Sequence, residues 1–394
     1  MPIKSFKVPV EPVVMKWARE SAGRTIEDVA TRLRVSEALI KKWESGGDRP
    51  TVNRLKTLSE YYQRPLDAFL LETPPDEPAI PRDFRFRSLP KQDAVPYHSD
   101  TFFALRKARR LQSVAEDLNG VFCDKLTYRF GEITENSDPE IFASKLRSLM
   151  GIDAETQLKW KNEYEALNGW IKALNTFDII VVQMSMPLED TRAFCLINGG
   201  YPVIVLNTKE SPSARIFSLF HELGHIILNI EGICDPSGYP ISGIGLRDIE
   251  IFCNHFAGAV LVPEHSLIDH HLVKKNEGTE WSDRTLRAIS RGFKVSKEVI
   301  LRRLLKFNLT TNKFYRKWKL QDEKNLLEKQ KRKEESSGGG GRDIARECIQ
   351  QNSEPIVSLV LKSYYTRRIT EYDISDYLEI NLKHLPSIER ALEV

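Results

Sequence analysis

Apolar residues recur at helical spacing through residues 1–71, separated by polar runs of only a few residues. That rhythm predicts a set of short helices joined by tight turns. It breaks at TPPDEPAIP (73–81), which carries four prolines in nine positions. Proline cannot continue a helix and lacks a backbone donor, so this stretch is expected to be an extended linker. Helical periodicity returns over residues 99–175 and is clearest in TFFALRKARRLQSVAEDL (101–118). FDIIVVQMSM, AFCLING and YPVIVLN follow; they are apolar, β-rich and bounded by Asn, Gly and Pro, and so predict strands. ARIFSLFHELGHIIL (214–228) reads as a long apolar helix and DIEIFCNHFAGAVLVP (248–263) as a second. Residues 315–335 are a run of mixed charge, SSGGGG (336–341) reads as a flexible hinge, and 342–394 as a small helical tail. No internal repeat is visible.

Composition narrows the class. The 394 residues exceed one ordinary core, so two or three domains are expected. Hydrophobic residues at 41% and charged residues at 29% are the balance of a globular chain, and no apolar run is long enough to predict a membrane span. The N-terminus lacks the features of a secretory signal. Five scattered cysteines (Cys123, Cys195, Cys234, Cys253, Cys348) form no CxxC pair. They are expected to be reduced thiols in a cytoplasmic protein. The formal charge of +3 argues against nucleic-acid binding by the chain as a whole.

The sharpest chemistry lies at HELGH (221–225). Helix positions i and i+4 share a face, so His221 and His225 can aim two imidazoles at one ion. Glu222 beside them can reach the solvent position of the ion. This is the H-E-x-x-H pattern, in which zinc (Zn2+) acidifies a water and the glutamate takes its proton. Gly224 costs about 1 kcal/mol in a helix interior, which suggests that something approaches closely there. A third histidine six residues on is absent, since position 231 is Glu. Asp235, Asp248, Glu250 and His255 remain as candidate third ligands, and only the i, i+4 spacing to Asn254 raises Glu250 above Asp248.

Residues 24–66 read as a helix-turn-helix. Thr25 and Asp28 resemble a capping box, Ala30 is small where two helices cross, Val35 and Ile40 are core positions, and Ser36 can cap the second of the pair. The candidate DNA-contacting residues are Ser36, Glu37, Ala38, Lys41 and Lys42. Residues 1–71 hold 13 Lys and Arg against 9 Asp and Glu, an excess of only 4, and Glu37 would face phosphates unfavourably. DNA binding and protein interaction or dimerisation therefore both stay open.

Several segments together resemble the ImmA/IrrE family of metallopeptidases, in the subgroup with an Xre-type helix-turn-helix in front. RIFSLFHELGHIIL is similar to that family's active-site helix, and FDIIVVQ, TRAFCL and YPVIVLN to its strands. EIFCNHFAGAVLVP resembles its E-x-x-A-N-x-F-A-x-x-L-x-x-P signature, with Cys253 in place of Ala, and FKVSKEVILRRL resembles its following helix. The resemblance implies zinc ligation by His221, His225 and Glu250, with Glu222 as general base. It further implies a protein substrate such as a repressor, in stress or mobile-element control. Phage-repressor-type domains often begin the second helix with Gln; here the residue is Ile26.

The expectation is a multidomain α+β protein. An all-α helix-turn-helix domain (1–71) and a proline-rich linker (72–98) precede a zincin-like α+β metallopeptidase domain (99–313). In that domain the helical part is 99–175, and the strands and the HExxH helix fall in 176–313. A charged, Gly-rich linker (314–341) and a C-terminal helical domain (342–394) follow. The expected function is zinc-dependent endopeptidase cleavage of a regulatory protein. The rival readings are a DNA-binding transcriptional regulator, or a toxin–antitoxin component whose metal domain senses or binds a partner. A homodimer is compatible with each of them.

Overall fold

The computed structural model describes residues 6–76, 97–120, 137–197, 200–228, 246–333 and 343–392. Residues 77–81 of the proline-rich stretch, the Gly run at 336–341, Cys123, Cys234 and Asp235 lie outside them. The chain divides into two compact units: Met1–Lys107 with Ser185–Thr191, and Ala108–Met184 with Arg192–Val394.

The first unit is helical. It contains α1 (Pro12–Glu20), α2 (Ile26–Leu33), α3 (Glu37–Ser45), α4 (Val52–Tyr62) and a 3₁₀ turn at Leu66–Leu70. The expected capping box opens α2: Asp28 N–H donates to the Thr25 hydroxyl, and Thr25 N–H donates to the Asp28 carboxylate. Arg34, with φ of 54°, ends α2 in the left-handed region and starts the turn into α3. Ala30, Ile40, Trp43, Leu58 and Phe69 form the core, with Val35 packed at its margin. The nearly buried Arg19 of α1 grips both oxygens of Glu44 on α3, at 2.7 and 2.9 Å, and so fixes how α3 is presented.

The second unit is built on a three-stranded sheet. Its strands are β1 (Ile180–Met184), β2 (Ala193–Leu196) and β3 (Val203–Asn207), in the order β1-β3-β2. β1 runs parallel to β3 from Ile180↔Val203 to Met184↔Asn207, and β2 runs antiparallel to β3. All strand residues are buried, as their mostly apolar sequences require, and the polar Gln183 and Asn207 are buried with them. Helix α5 (Ser99–Asn119) is shared by the two units at Lys107/Ala108. It is followed by α6 (Pro139–Met150), α7 (Ala154–Lys159), α8 (Glu163–Asn175), α9 (Pro212–Ile227) and α10 (Leu246–Leu261). α8 packs on β1, and α9 packs on β2, β3, α8 and α10. Trp170 meets Phe220 edge-to-face, with ring centroids 5.0 Å apart, at the centre of the α8–α9 contact.

Short helices α11 (Glu264–Ile268) and α12 (His271–Lys274) lead to α13 (Asp283–Phe293), α14 (Lys297–Lys306) and α15 (Asn312–Lys333). The charge run led us to expect a linker from residue 314, but the chain is helical there. Phe314, Tyr315 and Trp318 recur at helical spacing and pack on the core, and Tyr315 donates to Glu298 at 2.9 Å. The tail forms α16 (Ile344–Asn352), α17 (Glu354–Tyr365), α18 (Glu371–Leu378) and α19 (Leu385–Ala391), with α16 against β1.

The end of α10 is held by polar side chains from three other helices. A helix leaves its last carbonyls without partners, and burying one unpaired costs about 1–3 kcal/mol. Arg147 of α6 donates to Val260 O at 2.7 Å, Gln157 of α7 to Leu261 O at 2.9 Å, and Arg303 of α14 to Val262 O at 2.9 Å. Arg303 also pairs with Glu140 of α6, which reaches His255 of α10 at 2.6 Å. These contacts pin the helix that carries Glu250.

Candidate metal centre

The helix that presents HELGH is specified locally. Ser211 caps α9 by accepting from Ala214 N–H, and Pro212 occupies its first turn. Both favour a helix start. From Ile216 to Ile227 every residue except Phe217 is buried, so the histidines project from a helix enclosed by core.

His221 Nε2 and His225 Nε2 lie 3.2 Å apart. Glu250 of α10 completes the group, with Oε2 3.4 Å from His221 Nε2 and Oε1 3.2 Å from His225 Nε2. One ligand atom from each of the three falls within 4.8 Å of the others. Two imidazole nitrogens and one carboxylate oxygen at this spacing form a donor set for a divalent metal with an open position.

The approach of α10 depends on Gly224. A Cβ there would lie 3.0 Å from Cys253 Sγ and 3.2 Å from Cys253 Cα, inside normal contact distance. The sequence expected a close approach at this glycine, and the approaching group is the backbone of α10. Glycine lets the two helices approach at Cys253, three residues after Glu250 on α10, and so lets the Glu250 carboxylate reach the histidines.

The other sequence candidates separate clearly. Asp248 is exposed. His255 turns to Glu140 on α6 instead. Asn254 donates its side-chain amide to Glu250 O at 2.7 Å, so its spacing from Glu250 reflects a bond along its own helix. Glu222 is buried, at 6% exposure, and contributes no oxygen to the three-residue group among the described residues.

Electrostatics favour an ionised Glu250. Burial alone would raise its pKa, but the two imidazoles outweigh burial and hold the carboxyl far below the ordinary range. Burial likewise opposes charge on His225, while Cys253, Glu250 and Glu222 together raise its pKa well above the usual value. The Cys253 thiol is pushed up by burial.

With that geometry in hand, residues 174–305 match the Peptidase_M78 family model, described as the IrrE N-terminal-like domain. The chain carries an IrrE N-terminal-like domain. Residues 15–69 match a helix-turn-helix family model, HTH_3. No curated protein matches the chain. The IrrE-like domain thus spans β1 to β3 and the helices from α9 to α14, with all three clustered side chains inside it, and the metallopeptidase-like fold expected from the resemblance is present.

In the helix-turn-helix domain, Ser36, Glu37, Ala38, Lys41 and Lys42 are all exposed along α3 or at its start. Ser36 sits at the N-cap but makes no capping bond, and Lys41 pairs with Glu37 of its own helix at 3.3 Å. That pair offsets one of the two lysine charges on the presented face. The supporting network of Glu140, Arg147, Gln157 and Arg303 was not anticipated. Its members lie up to 163 residues apart, and nothing local marks them.

Proposed function

We propose that this chain is a zinc-dependent endopeptidase that cleaves a regulatory protein, with its helix-turn-helix domain recruiting DNA or a protein target. The convergence of His221, His225 and Glu250, with Glu222 on the same helix, carries the reading. The donor set fits zinc: two nitrogens and one oxygen, mostly buried, leaving room for water or substrate. When bound, zinc polarises the scissile carbonyl and lowers the pKa of a water.

The chain's own residues do the rest. His221 and His225 hold one side of the site, and Glu250 closes it from α10. Glu222 lies next to His221, so it points about 100° away from the line of the two histidines on the helix. There it takes the proton from the attacking water and passes it to the leaving amine. Core packing around α9 keeps the imidazoles in place, which limits reorganisation during the reaction.

The test is Glu222→Gln, assayed for zinc content and for cleavage of proteins encoded beside this chain. Zinc and fold are expected to be retained, and cleavage to fall on the order of a hundred- to ten-thousand-fold. Wild-type cleavage by this variant would rule the mechanism out. The regulator reading draws on the helix-turn-helix match. Salt-sensitive operator binding that carries the whole cellular effect in Glu222→Gln would favour it.

A further inference from the structure

A polar cavity lies within the larger unit, and none of its lining residues belongs to the His221, His225 and Glu250 group. It has a volume of about 590 Å³, the size range of small-molecule sites. Its lining includes Arg215 of α9, Gln183 of β1, Thr208 after β3, Asn168 of α8, and Arg346 and Gln350 of the tail helix α16. None of the described lining residues is acidic.

Arg215 is the unusual member. It is 7% exposed, and its Nε is buried with no hydrogen-bond partner. Its Nη1 donates to the neutral amide oxygen of Gln183 at 2.5 Å, and its guanidinium lies 6.0 Å from the Tyr164 ring. The carboxylate that acts on it, Glu210, is engaged by Arg192 at 3.3 Å and Ser218 at 3.0 Å. A buried cation facing a neutral amide is costly unless something anionic meets it. Arg346, exposed on α16, supplies a second guanidinium to the same cavity. Guanidinium forks match oxyanions in geometry as well as charge, and the surrounding amides and hydroxyl suit the polar body of a small ligand.

We propose that this cavity binds a small polar oxyanion, a phosphate monoester or a carboxylate, clasped between Arg215 and Arg346. Bound there, the anion ties the tail helix α16 to α9, six residues before His221 on the same helix. The site is independent of the metal reading, since none of its lining residues belongs to the ligand group.

The experiment titrates the full chain with inorganic phosphate and, separately, with citrate, against chloride at matched ionic strength. Calorimetry reads binding, and hydrogen exchange reads protection of residues 344–352. Saturable binding of either anion, with slower exchange in 344–352, is expected. Arg346→Gln, a surface change that leaves the core intact, should weaken it by about tenfold, the worth of one charge-assisted hydrogen bond. Phosphate-selective binding would assign a phosphoryl ligand, and citrate-selective binding a carboxylate. Binding no stronger than chloride, or equal binding by Arg346→Gln, overturns the proposal. Zinc content is measured alongside, so loss of the metal centre and loss of this site are told apart.

Discussion

At Glu250 a single carboxylate decides between the proposed metal centre and an ordinary helix charge. Its neighbour Asp248 has the same chemistry two residues earlier but points to solvent. Glu250→Ala is therefore expected to lower zinc occupancy from about one per chain to a small fraction, measured by elemental analysis after gel filtration. Asp248→Ala should keep full occupancy. Reversed results would mean that α10 presents a different face to α9. Glu222 is distinguished at the same scale: it shares the helix and the burial of the histidines yet stays outside their group, which suits a proton carrier better than a ligand.

Among the elements, the decisive one is α10, because two things must hold for its glutamate to arrive. Gly224 must let the helix come close, and the polar clamp must hold its far end. Arg303 is 2% exposed and serves both Glu140 and the Val262 carbonyl. Arg303→Met should destabilise the chain by about 2–3 kcal/mol in urea unfolding, since it leaves the half-buried Glu140 with His255 alone and the Val262 carbonyl without its donor. Adding Glu140→Leu should recover much of that loss. Recovery of none would show that the Arg303–carbonyl bond dominates instead.

The same clamp sets an acid limit. Burial would raise the Glu140 pKa, but bonds from His255 and Arg303 bring it from 4.5 down to about 2. A depressed folded-state pKa stabilises above the unfolded value and loses that stability as pH falls through the folded one. The contribution, reduced by solvent screening to about 1–2 kcal/mol, should be complete above about pH 4.5 and fade toward pH 2. Glu140→Gln should flatten the pH dependence of unfolding across that window; an unchanged profile would assign the acid limit to other carboxylates.

For the whole molecule, the helix-turn-helix match and the IrrE-like domain are separate regions of sequence, 15–69 and 174–305. Prolines at 74, 75, 78 and 81 lie between them. Limited proteolysis should cut in 73–81 or 336–341 before it cuts inside either matched region, with fragments identified by mass spectrometry. Early cuts within 16–71 would show that the first region is not a stable unit. Among the described residues, no helix is long and apolar enough to cross a membrane.

Sequence alone determined whatever depends on neighbours a few residues apart. The i, i+4 pair of His221 and His225, the capping box of Thr25 and Asp28 and the three largely apolar strands all follow from local geometry and burial pattern. Tertiary structure decided whatever depends on two distant segments meeting. It brought Glu250 rather than Asp248 or His255 to the histidines, and it extended a helix past residue 314 because three aromatic residues found a core to cover. It also placed Arg215 and Arg346, 131 positions apart along the chain, on the lining of one cavity. Periodicity reports which face of a helix is apolar, but the partner of that face, and the polar atom that arrives with it, is fixed only when separate helices pack.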